Sequence, residues 1–335
     1  MPPAQFDSDR LNGDRRITMW GAPSTGKTTF LAALSVALLR QNGMAQQENG
    51  ERAAWRVVGV DKADSDALTT LMKTLAGDRA FPPATTAVEQ YRWELVGTVQ
   101  RTIRVGRFRR ERRKETVTIP LDLADAPGGA AAPTLAGHPR WEALLKNMER
   151  SKGIVFFFDP VREFTDGDAF SHTFAVVNEL SQRMRDRQLP GGRLPHYVAV
   201  CIAKFDEIRV FKTAERLGMI EFDTDPPRFP RVPDDEAREF FASLCEVSRS
   251  GDAEMVLSML EQTFQPERIR YFATSAIGFY VDRRSGGVFD PDNFQNHVPG
   301  RDKTEPSRIR GSINPVNVVE PMVWLGRNLL KEPAE

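Results

Sequence analysis

A glycine-rich segment near the start of the 335-residue chain, Gly21-Ala22-Pro23-Ser24-Thr25-Gly26-Lys27-Thr28, constrains the fold more than any other feature. It matches the whole phosphate-loop pattern, in which main-chain N–H groups surround a phosphate. A β-rich run at 16–20 precedes the segment, and a helical pattern at 30–39 follows it. This order of strand, glycine loop and helix predicts a phosphate-binding loop rather than a chance turn.

Each part of this loop has a physical role. Gly21 and Gly26 permit backbone angles and close approaches that a side chain would block. The helix that follows adds the positive end of its dipole. Lys27 supplies a point charge to the β- and γ-phosphates, and the Thr28 hydroxyl can bind magnesium. The predicted nucleotide-binding residues here are Gly21, Ala22, Pro23, Ser24, Thr25, Gly26, Lys27, Thr28 and Thr29.

Strand and helix patterns alternate along the rest of the chain. Runs 153–159 and 197–203 are almost continuously apolar, as in central parallel strands that are buried on both faces. Runs 91–102 and 115–123 alternate instead and predict an antiparallel hairpin. Further strands are predicted at 55–60 and 269–274, and helices at 64–75, 168–187, 234–247 and 323–330. The sequence therefore predicts an α/β three-layer sandwich with a mostly parallel sheet, one antiparallel strand and helices on both faces.

No linker or repeat divides the chain, so we predict a single P-loop NTPase domain over 1–335. Within it, 1–14 forms a polar N-terminal tail and 41–80 contains an inserted strand-helix unit. Residues 280–314 form a loop-rich insertion before the C-terminal helix.

Composition excludes several function classes. The 46 basic and 46 acidic side chains cancel, so no global field attracts nucleic acid or an anionic membrane. Cys201 and Cys245 lack metal-ligand spacing. The first fourteen residues lack the apolar core of a secretory signal, and no apolar stretch is long enough to cross a bilayer. We expect a cytoplasmic protein.

Three later motifs follow predicted strands. They are Asp125-Ala126-Pro127-Gly128, Ala203-Lys204-Phe205-Asp206 and Ser275-Ala276. In this order, and behind a phosphate loop, they resemble the translation-factor and Ras-like class of P-loop GTPases. The resemblance spans nearly the whole chain. It implies binding of GTP or GDP with Mg²⁺.

The resemblance also assigns roles. Asp125 would reach the magnesium through water, and the Gly128 N–H would sense the γ-phosphate. A carboxylate such as Asp206 can accept two hydrogen bonds from guanine, which adenine cannot offer. The Lys204 stem would lie along the base, and the backbone at Ser275 and Ala276 would meet the guanine carbonyl. Ala203 stands where the family has asparagine, which removes a side-chain amide from this loop.

The hydrolytic residues are less defined by sequence. The loop 81–86 offers Thr85 or Thr86 as a magnesium ligand, with Thr86 preferred; the alternative is a rigid proline turn with exposed threonines. Gly129 stands where Ras-like proteins have a water-positioning glutamine, so hydrolysis should be slow. His138 is a candidate to position the water, against a plain surface histidine. The predicted catalytic set is Lys27, Thr86, Gly128 and His138, and the metal ligands are Thr28, Thr86 and Asp125.

These observations predict a GTP-binding, Mg-dependent molecular switch with slow hydrolysis. The alternatives are a nucleotide-gated scaffold with little hydrolysis, or an ATP-binding ATPase or kinase. The loop 81–86, the Asp125 turn and Asn317-Val318-Val319-Glu320-Pro321 also resemble bacterial conflict-system double-GTPase proteins, which implies a protein effector or a second GTPase subunit. The basic run 101–114 is either a solvated hairpin tip or a contact site for a phosphate-rich or acidic partner.

Overall fold

The computed structural model describes residues 15–40, 47–48, 51–52, 54–83, 92–105, 109–123, 139–282, 284, 286–302 and 305–331. Its centre is a seven-stranded sheet. In chain order the strands are β1 (Ile17–Gly21), β2 (Ala54–Gly59), β3 (Trp93–Val105), β4 (Arg109–Leu123), β5 (Gly153–Phe158), β6 (Tyr197–Ile202) and β7 (Ile269–Ala273).

The order of strands across the sheet is β7-β6-β5-β1-β4-β3-β2. Neighbours from β7 to β4 are parallel, whereas β3 is antiparallel to both β4 and β2. One strand therefore runs against the other six. The fold class predicted from the sequence is confirmed.

Helices connect the strands and cover both faces of the sheet. They are α1 (Lys27–Arg40), α2 (Lys62–Met72), α3 (Pro139–Arg150), α4 (Pro160–Thr165), α5 (Ala169–Arg183), α6 (Ile208–Arg216), α7 (Ala237–Glu246), α8 (Glu254–Thr263) and α9 (Glu320–Lys331). A π-helical turn, Lys73–Gly77, extends α2. Helices α3, α4, α6 and α8 were not predicted from the sequence.

Alternate residues of the central strands bury their side chains in different cores. In β5, Ile154 and Phe156 pack with α3 and α5, whereas Val155 and Phe157 pack with α1 and α9. Each such side chain stabilises the fold by about 1.5–3 kcal/mol relative to an exposed one. Because both faces are covered, ligands can reach the sheet mainly where its strands end.

The described part of 280–314 packs against the sheet domain although it contains little regular structure. Asn296 is fully buried, and its amide donates to the carbonyls of Ile277 and Ser312, each at 3.1 Å. A small core joins Ile309 and Ile313 of this segment to α1, to the π-turn and to Ile277. The segment thus supports the chain that follows β7.

Candidate functional site

Four chain segments meet at one edge of the sheet. Strands β1, β5, β6 and β7 are parallel neighbours, so their carboxyl ends point the same way. The phosphate loop leaves β1, Asp159 follows β5, the Lys204 loop follows β6 and Ser275 lies just beyond β7. The topology therefore brings together three of the predicted motifs.

The phosphate loop holds the Lys27 ammonium inside its own curve. Lys27 is 3% exposed, and its Nζ donates to the carbonyl oxygens of Gly21 at 2.9 Å and Ala22 at 3.0 Å. Ser24 and Gly26 have positive φ angles of 64° and 89°. The loop conformation thus presents a buried cation beside a run of main-chain amides, which is an arrangement suited to an anion.

The two glycines of the loop are required for different reasons. A Cβ at Gly26 would meet no atom within 4 Å, so the demand there is the positive φ. A Cβ at Gly21 would lie 2.7 Å from the Phe157 carbonyl oxygen of the neighbouring strand. Gly21 therefore permits the close pairing of β1 with β5.

Two of the predicted base-binding residues, Asp206 and Ser275, lie in direct contact. Asp206, which is 7% exposed, accepts a hydrogen bond from the Ser275 hydroxyl, and Ser275 is fully buried. The Ser275 Oγ in turn accepts from the Gly278 N–H at 2.8 Å. A main-chain bond from Phe205 N to Thr274 O, at 3.0 Å, ties the two loops together.

Burial changes the acidity of Asp206. Loss of solvent raises the pKa of its carboxyl to about 6, although the hydrogen bond from Ser275 opposes the shift. Burial of a carboxylate with such a raised pKa is typical of a functional site, because desolvation disfavours the ionised form.

Lys204 is positioned by Asp159, a residue outside the predicted set. Its φ angle is 58°, and its Nζ lies 2.5 Å from Asp159 Oδ2. The other oxygen of Asp159 accepts from the N–H groups of Val161 at 3.0 Å and Arg162 at 3.2 Å, which caps α4. An Asp-Pro pair directly after a buried parallel strand is the signal that could have identified it.

Arg162 connects this helix to the phosphate loop. Its Nη1 donates to the Pro23 carbonyl at 3.4 Å, while Nε donates to Asp168 Oδ1 at 2.9 Å. Arg162 also lines a cavity of about 20 Å³ together with Ala22, Thr25 and Asp159. A chain of contacts therefore runs from Pro23 through Arg162 and Asp159 to Lys204.

The insertion 280–314 also reaches this edge. The centre of the His297 ring lies 5.6 Å from that of the Phe81 ring, at the start of the loop 81–86 in which a magnesium ligand was predicted. Burial, followed by the nearby charge of Lys204, lowers the pKa of His297. No motif in 280–314 predicts that this segment lies at the site.

Several predicted residues lie outside the described part of the chain. These are Thr86, Asp125, Gly128 and His138. Thr28 and Thr29 are in the first turn of α1, and Ala276 packs beside Ile277. Among the described residues, no group of three or more His, Cys, Asp or Glu side chains could hold a metal ion. A hydroxyl such as that of Thr28 is a hard oxygen donor, which suits Mg²⁺ as one ligand beside phosphate oxygens and water.

No protein-family model matches the sequence, and a search of curated proteins finds no match. Among solved structures, the chain is similar to an Era variant from Aquifex aeolicus bound to GDP·AlF4⁻. The identity is 14% and the TM-score 0.30, over 78% of this chain and 50% of that one. For the SRb-GTP/SRX complex of the signal recognition particle receptor from Chaetomium thermophilum, the identity is 14%, the TM-score 0.34 and the coverage 79% and 91%.

A Sup35 structure with GMPPNP is 14% identical, with a TM-score of 0.29, over 84% of this chain and 43% of that chain. The chain thus spans half or less of the length of the Era and Sup35 chains. In the described part of the chain, no helix combines the length and apolar character needed to cross a membrane.

Proposed function

We propose that this chain binds guanine nucleotides with Mg²⁺ and acts as a slow GTP-hydrolysing molecular switch in the cytoplasm. One observation carries the proposal. The buried ammonium of Lys27 in a complete phosphate loop and the joined Asp206–Ser275 pair lie at the same edge of the sheet, linked through Arg162, Asp159 and Lys204. The edge offers one region for phosphates and another for a base.

The charged groups around Lys27 support binding of the nucleotide phosphates there. Lys27, the loop amides and the N-terminus of α1 would bind the β- and γ-phosphates. Thr28 would hold Mg²⁺, with Thr86 and Asp125 as further ligands from the family resemblance. The metal would neutralise charge on the phosphates. Because phosphoryl transfer mainly requires positioning and charge neutralisation, these residues supply most of what a GTPase needs.

The hydrogen-bonding groups around Asp206 support binding of the guanine base there. Ionised Asp206 can accept from both the ring N–H and the exocyclic amine of guanine, whereas adenine presents no such pair. The Ser275 hydroxyl fixes the position of this carboxylate. Lys204, which is fixed at its tip by Asp159, would lay its aliphatic stem along the base.

The affinity for GTP should fall as the pH drops below about 6. Since burial raises the pKa of Asp206 to about 6, the carboxyl gains a proton in this range and loses an acceptor for guanine. Affinity should then fall by up to about tenfold for each further pH unit. Fluorescence titration between pH 5 and 8 measures this. Asp206→Asn is the control, because its affinity should lack this step; an equal slope in both proteins would contradict the assignment.

Protonation of Asp206 should stabilise the folded protein, although it should weaken GTP binding. A raised pKa means that the folded state takes up a proton before the unfolded state does. The contribution of Asp206 to the free energy of unfolding therefore increases as pH falls from about 6 towards the ordinary pKa of 3.8.

Asp159→Ala should weaken GTP binding by about tenfold, equivalent to about 1.4 kcal/mol. The change releases Lys204 and removes the cap of α4. Asp159→Asn separates the two effects, since it retains a capping oxygen but lacks the charge, and should give an intermediate loss. Asp186→Ala is the control, because this exposed carboxylate lies in the short 3-10 turn after α5 and outside the contact chain from Pro23 to Lys204. A loss as large in that control would assign the effect to general electrostatics.

Two alternatives remain. Gly129 and Ala203 favour a nucleotide-gated scaffold that hydrolyses little GTP, which single-turnover phosphate release would reveal. An ATP-binding ATPase or kinase would have no need of Asp206. Titration of the purified protein with GTP, ATP and their diphosphates, with and without Mg²⁺, tests the proposal directly; equal affinity for ATP and GTP would reject it.

The resemblance to conflict-system proteins supports a protein effector or a second GTPase subunit as partner, and a role in bacterial defence. A partner that supplies a catalytic group would accelerate phosphate release. Measurement of phosphate release with and without candidate subunits tests this part.

A further inference from the structure

A second cleft, of about 430 Å³, opens between the end of α4, helix α6 and the turn after α7. Four cationic side chains line it: Arg209, Lys212, Arg216 and Arg249. Phe164 and Val247 supply apolar surface. The volume falls within the range of about 300–1,000 Å³ that is typical of small-ligand sites.

The positive charge of the cleft is only partly balanced. Among the described residues that line it, none is acidic. Lys212 pairs with Glu215 at 2.8 Å, and Arg209 lies 4.0 Å from Glu207. Within the described residues, no carboxylate lies within 4 Å of Arg216 or Arg249. Like charges three or four residues apart on a helix destabilise it. An anion in the cleft would therefore reduce the repulsion between the cationic side chains of α6.

We infer that this cleft binds a small anion that carries two or more phosphate groups. The cations of α6 stand at positions i, i+3 and i+7, so they follow one helix face over about 10 Å. That span exceeds the needs of a single phosphate or carboxylate. The Arg209 guanidinium lies over the Phe164 ring, 4.8 Å from its centre, and a guanidinium can bind a phosphate through two parallel N–H groups.

The walls of the cleft continue from the nucleotide edge. Helix α4 starts directly after Asp159, and α6 starts two residues after Asp206. A ligand between these helices would therefore contact elements that position both Lys204 and the base loop. Any change that it causes in GTP affinity must be matched by an equal effect of GTP on its own affinity. The cleft itself does not depend on which nucleotide binds at the edge.

The test is calorimetric titration with sodium tripolyphosphate. The Lys27→Ala protein is used because the phosphate loop would otherwise compete for the probe. We expect one site per chain, with affinity that falls as salt is added. The double substitution Arg216→Glu and Arg249→Glu should weaken binding at least tenfold, whereas Arg185→Glu, an exposed arginine of the same charge elsewhere, should leave it unchanged.

Three results would overturn the inference. The first is an absence of tripolyphosphate binding at millimolar concentration, both in Lys27→Ala and in wild-type protein saturated with GDP. The second is an equal loss in the Arg185→Glu control, which would indicate diffuse surface charge. The third is binding of a glutamate-rich peptide but not of tripolyphosphate, which would indicate a protein partner.

Discussion

Replacing Lys27 by alanine should lower the affinity for GTP and GDP by about a hundredfold. The Lys27 ammonium is buried in the curve of the loop, within 3.0 Å of the Gly21 and Ala22 carbonyls. A charged hydrogen bond to phosphate is worth about 1.5–3 kcal/mol, and each 1.4 kcal/mol is tenfold in affinity. Because the phosphates are common to all nucleotides, ATP and GTP should lose affinity equally.

Fluorescent GDP and GTP analogues measure this loss. Lys146→Ala is the matched control, since Lys146 is exposed on α3 and should change neither affinity nor melting temperature. Circular dichroism tests whether the Lys27→Ala protein is folded. If a folded Lys27→Ala protein bound GDP and GTP as tightly as the wild type, the phosphate loop would not be part of the binding site. That result would contradict the proposed function.

Asp206→Asn should abolish the preference for guanine. The amide presents a donor where the carboxylate accepted, so GTP should bind at least about a hundredfold more weakly, as expected when buried polar partners are left unmatched. Xanthosine triphosphate should gain affinity, because xanthine carries a carbonyl where guanine carries the exocyclic amine. The variant should also be more stable by on the order of 2 kcal/mol at pH 7, since the buried charge is gone.

Competition titrations with GTP, xanthosine triphosphate and ATP, together with chemical denaturation, measure both effects. Asp223→Asn, an exposed carboxylate, is the control and should show neither. Unchanged GTP affinity in Asp206→Asn would instead favour the ATP-binding alternative.

The strands that carry the site were predictable because burial on both faces leaves a clear apolar run. The predicted run 153–159 became Gly153–Phe158, and 197–203 became Tyr197–Ile202. The hairpin was less predictable. Its strands continue to Val105 and resume at Arg109, with Arg101 paired to Arg113. Arginine gives no apolar alternation, so the pattern there indicated only a connection. Helix α6 was missed because its apolar face, Val210, Phe211 and Ala214, is too short to establish a period.

Short motifs single out candidate site residues one at a time, as at Lys27 and Asp206, and the structure places both at one edge of the sheet. Contacts between distant segments were not predictable. The Asp159–Lys204 pair joins residues 45 positions apart, and it depends on β5 and β6 being neighbours with their ends in register. The approach of His297 to Phe81 depends on the path of an irregular segment, for which hydrophobic periodicity gives no signal.

The way in which the chain closes behind the Ser275 loop has a consequence for its synthesis. Ser275 exchanges both main-chain hydrogen bonds with Val316, and a Cβ at Gly278 would overlap the Asn314 carbonyl. The loop beside Asp206 therefore lacks its contacts with Asn314 and Val316 until residues 314–316 have left the ribosome. In a nascent chain that already contains the complete phosphate loop, the Asp206–Ser275 pair would still lack this support.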